Sequence, residues 1–173
     1  MFLVGPMGAG KTAVGRRLAR LLGCRFVDSD EAIVARTGVD IAYIFEKEGE
    51  AGFRQRERDA IDALTREPGV VLATGGGAVL LPDNRARLHE RGTVVYLHAS
   101  VAQQLARTRH GTHRPLLRTA DPGARLAELM AIREPLYREV AHLVIPTDGR
   151  KVSAVAAEIA RRLQAGAAVE VPA

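Results

Sequence analysis

Tryptophan is absent from this chain of 173 residues, and aromatic residues make up only 4% of it. This scarcity leaves few platforms on which the bases of a nucleic acid can stack. The single cysteine, Cys24, excludes an internal disulfide and indicates a reducing compartment. No apolar run approaches the roughly 20 residues of a membrane-spanning helix, and the apolar start "MFLVG" is too short for a secretory signal. We therefore expect a cytoplasmic protein without a membrane partner.

Lysine is also scarce, occurring only at Lys11, Lys47 and Lys151, so the formal charge of +5 comes mainly from arginine. A nucleic-acid partner is one interpretation of this charge. The basic residues are scattered rather than gathered in a tail, however, and a pocket for anionic small molecules would also make the chain basic. We therefore expect no nucleic-acid partner.

Apolar runs alternate with helical patterns along the chain, and the runs lack polar alternation. A parallel sheet that is buried on both faces requires strands of this kind. The five runs are "MFLVG", "RFVD", "GVVLAT", "TVVYLHA" and "HLVIPT". They predict one α/β domain over residues 1–165, with a five-stranded parallel sheet between helices, and a frayed tail at residues 166–173.

The segment "GPMGAGKT" (residues 5–12) matches the phosphate-loop pattern in full, between a predicted strand and a predicted helix. Its glycines let backbone N–H groups point inward around an anion, and the helix N-terminus adds partial positive charge. In such loops the lysine reaches the β- and γ-phosphates and the following hydroxyl binds Mg²⁺. The segment predicts a three-layer P-loop NTPase fold that binds a nucleoside triphosphate through Gly8, Ala9, Gly10, Lys11, Thr12 and Ala13. GTPases, ATPases and small-molecule kinases all share this loop, so it does not choose among them.

Two carboxylates, Asp28 and Asp30, follow the second predicted strand. Ligands of a parallel sheet bind beyond the carboxyl ends of its strands, so both residues are expected to face the phosphate loop. One carboxylate can hold Mg²⁺, directly or through water, while the other takes a proton from an acceptor hydroxyl. The alternative is that the two aspartates and Ser29 simply cap the next helix.

Residues 112–123 contain proline, glycine and charge but no periodicity, which predicts a loop. We expect a mobile lid at about residues 108–123, in which Arg114 closes onto the transferring phosphoryl group and excludes water. A helix is predicted to begin at Pro122 and to end at Arg133.

Taken together, these motifs and several others resemble those of one family, shikimate kinase, over nearly the whole length of the sequence. The motifs that carry the resemblance have that family's order and similar spacing: "GPMGAGKT", "DSD" (28–30), "FRQRE" (53–57), "GGGAV" (75–79), "RPLL" (114–117) and "REPLY" (133–137). The resemblance implies a fold like that of nucleoside monophosphate kinases, with a mobile lid. It also implies that ATP phosphorylates shikimate to shikimate 3-phosphate, on the pathway to chorismate and the aromatic amino acids.

The resemblance also implies roles for single residues. Asp30 would hold the ring hydroxyls of shikimate, including the attacking one, and Asp28 would serve Mg²⁺ through water. Arg54 and Arg133 would grip the substrate carboxylate, for which paired guanidinium groups are apt. The catalytic set would be Lys11, Asp30 and Arg114.

The resemblance implies three further roles, which concern the ring of the acceptor and the nucleotide. Gly75, Gly76 and Gly77 would admit the acceptor ring against bare backbone, so that a side chain at any of them would occupy the ring's space. Arg150 would lie against the adenine, and Arg107 would flank the nucleotide or lie on the surface.

Other functions remain open from the sequence. A related kinase for another polyhydroxylated acid, such as gluconate, would also need a carboxylate clamp and a hydroxyl-binding aspartate. A nucleoside monophosphate kinase would need a base-recognition site, which no motif indicates. A nucleotide-gated binding protein has only the basic charge in its favour. We expect a monomer, because no exposed apolar heptad or long edge strand is evident.

Overall fold

The computed structural model describes residues 1–109 and 120–166. One or two helices follow each strand along these two ranges. Their order is β1 (Phe2–Val4), α1 (Lys11–Leu22), β2 (Arg25–Asp28), α2 (Ser29–Thr37), α3 (Ile41–Leu64), β3 (Val70–Ala73), α4 (Pro82–Arg91), β4 (Val94–His98), α5 (Val101–Thr108), α6 (Pro122–Val140), β5 (Leu143–Pro146) and α7 (Val152–Gln164). The tail predicted to fray falls, from residue 167 onward, outside the described residues.

The strands of the described ranges form one sheet in the order β2-β3-β1-β4-β5. Every neighbouring pair is parallel. The central strand β1 lies between β3 and β4, with Phe2 opposite both Leu72 and Val94. The predicted five-stranded parallel sheet is confirmed. The chain order of the strands reverses around β1, which is where α/β sheets open a ligand crevice beyond their carboxyl ends.

Helices cover both faces of the sheet, as the unbroken apolar runs predicted. Leu3 of β1 belongs to a core cluster with Val14 of α1 and Ile159 of α7. Its neighbours in the strand, Phe2 and Val4, belong to the cluster on the other face. Successive side chains of a strand point to opposite faces, so both sets are buried. Within the described ranges, no helix is long and apolar enough to cross a membrane.

A third apolar cluster joins α2 to α3 beside the carboxyl edge of the sheet. Its buried members include Ile33, Ile44 and Phe53. Helix α3 is interrupted at Gly49, whose backbone has φ 69° and ψ −174°. Only glycine takes this conformation readily. The second half of α3, after this interruption, carries Arg54 and Glu57.

The predicted end of α6 at Arg133 is wrong, because the helix continues to Val140 with Pro135 inside it. A proline inside a helix costs about 3 kcal/mol through its missing N–H and its clash with the preceding turn. Tyr137 and Val140 are buried beyond it, with 0% and 2% of their surface exposed. Their burial stabilises the extra turns and offsets this cost. As a result, Arg133 and Tyr137 share one face of α6.

Helix α1 packs closely on the sheet at Gly15, which gives a prediction for stability. A Cβ at this position would lie 2.5 Å from Cε2 of Phe26 and 3.1 Å from Cδ1 of Leu3. We expect Gly15→Ala to lower the free energy of unfolding by about 1–3 kcal/mol, the usual cost of an overpacked core. Urea denaturation measures this change. Gly123→Ala is the control, because a Cβ there meets no atom closer than 3.4 Å, and an equal loss in both variants would contradict the account.

Candidate active site

A cleft of about 530 Å³ opens at the carboxyl edge of the sheet. Its walls come from the phosphate loop, the β2–α2 turn, α3, the three glycines after β3, and α6. The predicted site residues that line it are Gly8, Gly10, Lys11, Thr12, Ala13, Asp28, Asp30, Arg54, Gly75, Gly76, Gly77 and Arg133. Most of the predicted site is therefore gathered around one space.

The phosphate loop has the backbone that its glycines predict. Gly5, Gly8 and Gly10 have φ values of 141°, 79° and 91°, which L side chains rarely adopt. A Cβ at Gly5 would also lie 2.5 Å from the carbonyl oxygen of Leu97, so β1 and β4 leave no room for one. Nζ of Lys11 donates hydrogen bonds of 2.7 and 2.9 Å to the carbonyl oxygens of Gly5 and Pro6. The lysine cation is thereby held over the loop, at the N-terminus of α1.

Thr12 and Asp28 meet at the side of the loop. The Thr12 hydroxyl donates to Oδ2 of Asp28 at 2.9 Å, while Oδ1 of Asp28 accepts from the backbone N–H of Asp30 at 3.0 Å. Asp28 therefore caps α2 and faces the phosphate loop at once, so the two interpretations of this carboxylate do not exclude each other. A hydroxyl and a carboxylate oxygen so close together suit Mg²⁺, which takes one or two protein ligands and completes its shell with water and phosphate oxygens.

Asp30 directs a carboxylate oxygen into the cleft. Its Oδ1 is buried and has no hydrogen-bond partner among residues 1–109 and 120–166. Burial raises the pKa of this carboxyl, and the neighbouring Asp28 raises it further, whereas Lys11 and Arg54 act in the opposite direction. A carboxylate of raised pKa with an unpaired oxygen is well suited to accept the proton of a bound hydroxyl.

Two guanidinium groups face the cleft from α3 and α6. Nη1 of Arg54 lies 2.6 Å from Oε2 of Glu57, and its Nη2 lies 3.1 Å from Oε1 of Glu50. Arg133 is 6% exposed yet lines the same cleft. Burial alone would lower the pKa of Arg54, but the two glutamates raise it overall, so the side chain stays charged. The pair offers planar donors that match a carboxylate.

The three glycines after β3 face different neighbours. A Cβ at Gly75 would lie 2.6 Å from Oε1 of Glu57, and one at Gly77 would overlap the guanidinium of Arg54. A Cβ at Gly76 would instead point to the phosphate loop, 3.5 Å from the carbonyl oxygen of Gly5. A side chain at Gly76 would therefore contact the phosphate loop, whereas one at Gly75 or Gly77 would collide with Glu57 or Arg54.

Hydrogen bonds from α2 and α6 fix this glycine segment. The backbone N–H of Gly75 donates to Oγ of Ser29 at 3.0 Å, and the Tyr137 hydroxyl donates to the carbonyl oxygen of Gly76 at 2.5 Å. Burial raises the pKa of Tyr137 to about 12, so the phenol keeps its proton and remains a donor. Hydrogen bonds from Ser29 of α2 and Tyr137 of α6 thus fix the backbone conformation of the glycine segment.

Four predicted residues are not among those that line the cleft, and one of the four is outside the described residues. Ala9 is packed in the core beside α1. Arg107 donates to the carbonyl oxygens of Gly8 at 3.0 Å and Thr147 at 2.9 Å, tying the phosphate loop to the end of β5. Arg150 pairs with Glu158 and donates to the carbonyl oxygen of Pro146. Arg114 and most of the predicted lid fall within residues 110–119, which lie outside the described residues.

Sequence reasoning missed several residues that the cleft uses. Glu57 is fully buried beside Arg54. Two signals were available for it, namely its spacing of three residues from Arg54 on a helix and its place at the end of the motif "FRQRE". Ile41, Phe45 and Phe53 form an apolar wall of the cleft. Their pattern is the same as that of core residues, so only the fold distinguishes them.

The sequence was compared with known proteins and protein families. The family model described as shikimate kinase matches residues 7–164. The chain belongs to the shikimate kinase family. The shikimate kinase of Halorhodospira halophila is 61% identical over 164 residues, which are 95% of this chain and 93% of that protein. That of Pseudomonas syringae pv. tomato is 57% identical over 163 residues, covering 94% of this chain and 95% of the relative.

Solved structures give the same family. A shikimate kinase from Acinetobacter baumannii, solved in complex with shikimate, is 50% identical and superposes with a TM-score of 0.93 over 95% of this chain and 92% of its own. A gluconokinase from Sinorhizobium meliloti is 16% identical with a TM-score of 0.57, covering 96% of each chain, so it shares the fold alone. The predicted P-loop fold of the nucleoside-monophosphate-kinase type is confirmed.

The Tyr137 hydroxyl gives a testable stability difference. We expect Tyr137→Phe to lower the free energy of unfolding by about 1–3 kcal/mol, because the carbonyl oxygen of Gly76 loses its buried donor. The measurement is urea denaturation of both proteins. Tyr43→Phe is the matched control, since Tyr43 is 49% exposed, and it should change stability by less than about 0.5 kcal/mol. A Tyr137→Phe protein as stable as the parent would contradict the role of this bond.

Proposed function

We propose that this chain transfers the γ-phosphoryl group of ATP to the 3-hydroxyl of shikimate. The observation that carries the proposal is the joint presence, in one cleft, of a complete phosphate loop, an unpaired buried carboxylate oxygen on Asp30 and a guanidinium pair, Arg54 and Arg133. Each part answers one need of the reaction, namely phosphate binding, proton removal and recognition of an acidic acceptor. Membership of the shikimate kinase family supports the same substrate.

The nucleotide half of the site stabilises charge. The backbone N–H groups at the start of α1 and the Lys11 ammonium would surround the β- and γ-phosphates, as in other phosphate loops. Thr12, and Asp28 through water, would hold Mg²⁺, which when bound neutralises charge on the phosphate oxygens. Arg107 would support this half indirectly, because its bond to the carbonyl oxygen of Gly8 fixes the loop.

The acceptor half positions one hydroxyl. Arg54 and Arg133 would bind the shikimate carboxylate, and the backbone at residues 75–77 would lie beneath the ring. The attacking hydroxyl would then donate its proton to Oδ1 of Asp30, in line with the γ-phosphate. Transfer of this kind needs little covalent help, so positioning and exclusion of water account for most of the catalysis.

The remaining parts of the proposal concern the whole chain. We propose a single kinase domain over residues 1–165, with a lid at about residues 108–123 from which Arg114 reaches the transferring group. We also propose that the protein is a cytoplasmic monomer, that Arg150 lies near the adenine, and that ATP and shikimate are its ligands rather than nucleic acid.

An acceptor screen tests the proposed reaction. The purified protein is incubated with Mg²⁺ and ATP, and ADP release is measured with shikimate, with gluconate, with nucleoside monophosphates and without acceptor. We expect shikimate alone to stimulate release. Stimulation by gluconate or a nucleoside monophosphate but not by shikimate would overturn the proposal, as would release that no acceptor increases.

Replacement of Asp30 tests the proton acceptor. We expect Asp30→Asn to lower kcat by about 10²- to 10⁴-fold, the usual contribution of a positioned base. The KM for ATP should change little, because the amide keeps the shape of the side chain and the phosphate loop is untouched. Steady-state kinetics with both substrates provide the measurement. A kcat within a few-fold of the parent would exclude Asp30 as the base.

The glycine segment offers a matched pair of variants. We expect Gly77→Ala to raise the KM for shikimate at least about tenfold, because the new Cβ displaces the Arg54 guanidinium and weakens a charged hydrogen bond. Gly76→Ala should have the smaller effect, since its Cβ meets only ordinary contacts of 3.5 Å or more. Kinetics at saturating ATP compare the two. A larger effect at Gly76 than at Gly77 would contradict this geometry.

A further inference from the structure

Glu57 is a buried carboxylate with only one oxygen paired. Its side chain is 0% exposed, and Oε2 accepts from Nη1 of Arg54 at 2.6 Å. The other oxygen, Oε1, has no hydrogen-bond partner among the described residues. A buried carboxylate oxygen without a hydrogen-bond partner destabilises the folded protein. Core packing alone therefore does not account for Glu57 at this position.

The unpaired oxygen faces the acceptor side of the cleft. Oε1 of Glu57 and Oδ1 of Asp30 lie 2.6 and 3.1 Å from the point that a Cβ of residue 75 would occupy, so they flank one small space. Glu57 also lines the cleft itself, together with Arg54 and Arg133. A ligand that engages Arg54 therefore comes within reach of Glu57.

The charges around Glu57 come from each element packed against it. Arg54 lies on its own helix, Asp30 faces it from α2, and Arg133 and Tyr137 face it from α6. Burial raises the pKa of Glu57 and Asp30 adds to this, while Arg54 and Arg133 oppose it. The stability of the ionised form of Glu57 consequently depends on Arg54 and Arg133, and an anionic ligand would bind to the same two guanidinium groups.

We propose that binding of the shikimate carboxylate to Arg54 drives uptake of one proton by Glu57. The inference rests on the proposed function, because it needs a carboxylate that engages Arg54. Arg54 already carries two carboxylates, those of Glu57 and Glu50. A third carboxylate weakens the hold of Arg54 on Glu57 and adds a like charge nearby, and both effects favour the neutral form.

The proton comes from solvent and goes to a carboxylate oxygen of Glu57. In the bound complex the negative charge of the ligand carboxylate then faces Arg54 and Arg133. Glu57 is neutral, so two negative charges do not compete for the guanidinium of Arg54. The sign of the pH effect follows from linkage. Since binding raises the pKa of Glu57, its contribution to shikimate affinity falls as pH rises from the Glu57 pKa of the free protein to that of the complex, over the range in which the ligand carboxylate is ionised. Glu57 acts here as a positioning residue, because it works through Arg54.

Isothermal titration calorimetry with shikimate alone, in buffers of different ionisation enthalpy, tests the proposal. We expect the apparent binding enthalpy of the parent protein to increase with buffer ionisation enthalpy, with a positive slope of at most one proton per shikimate. Glu57→Gln keeps the shape and can still accept from Arg54 but cannot take up a proton. The slope should vanish in this variant, and its affinity should lose its pH dependence.

Glu50→Gln is the matched control. Glu50 also pairs with Arg54, but its side chain is 56% exposed, so this variant should keep the slope of the parent. A positive slope that survives in Glu57→Gln would overturn the assignment of the proton to Glu57.

The remaining outcomes separate the inference from the proposed function. Shikimate binding with zero slope in the parent protein would overturn the inference and leave the function intact. An absence of shikimate binding would overturn both. If Glu57→Gln does not fold, infrared difference spectra of the parent protein test the proposal instead. The proposal predicts that a new protonated-carboxyl band forms when shikimate is added. The absence of this band would refute the proposal.

Discussion

The parallel pairing of β1 with β3 is the constraint on which the site depends. Leu3 lies opposite Ala73, and both strands end at the same edge of the sheet. The phosphate loop that leaves β1 and the glycine segment that leaves β3 are therefore neighbours, with the β2–α2 turn beside them. A nucleotide site and an acceptor site next to each other follow from this register, because in-line transfer needs the two ligands end to end.

The charges of the cleft are balanced within a small buried volume. Lys11, Arg54 and Arg133 face Asp28, Asp30 and Glu57 around the same space. Burial penalises the ionised forms of Asp30, Arg54 and Glu57, and each of the three is stabilised by an opposite charge nearby. An anionic substrate must enter this arrangement without leaving a carboxylate unpaired. This requirement explains why a residue that does not touch the reacting atoms, Glu57, has a place in the cleft.

The sequence predicted what depends on local patterns and missed what depends on tertiary neighbours. The phosphate loop and the sheet follow from contiguous residues, and the structure has them where they were predicted. The predicted end of α6 was wrong because the burial of Tyr137 stabilises the helix by more than Pro135 destabilises it. This burial depends on tertiary packing, which the residues next to a proline in the sequence do not show. The direction of a side chain at Gly76 was missed because it depends on loop dihedrals. The role of Glu57 in the cleft was missed because two of the charges that surround it, Asp30 and Arg133, come from other elements.

The position of the transferred phosphate tests the central claim most directly. The protein is incubated with Mg²⁺, ATP and shikimate, and the product is examined by phosphorus–proton NMR. The proposed function, with one carboxylate clamp and one proton acceptor, predicts a single phosphoester whose phosphorus couples to the proton on carbon 3. A phosphoester at another hydroxyl, or ADP formed with free phosphate and unchanged shikimate, would contradict the account.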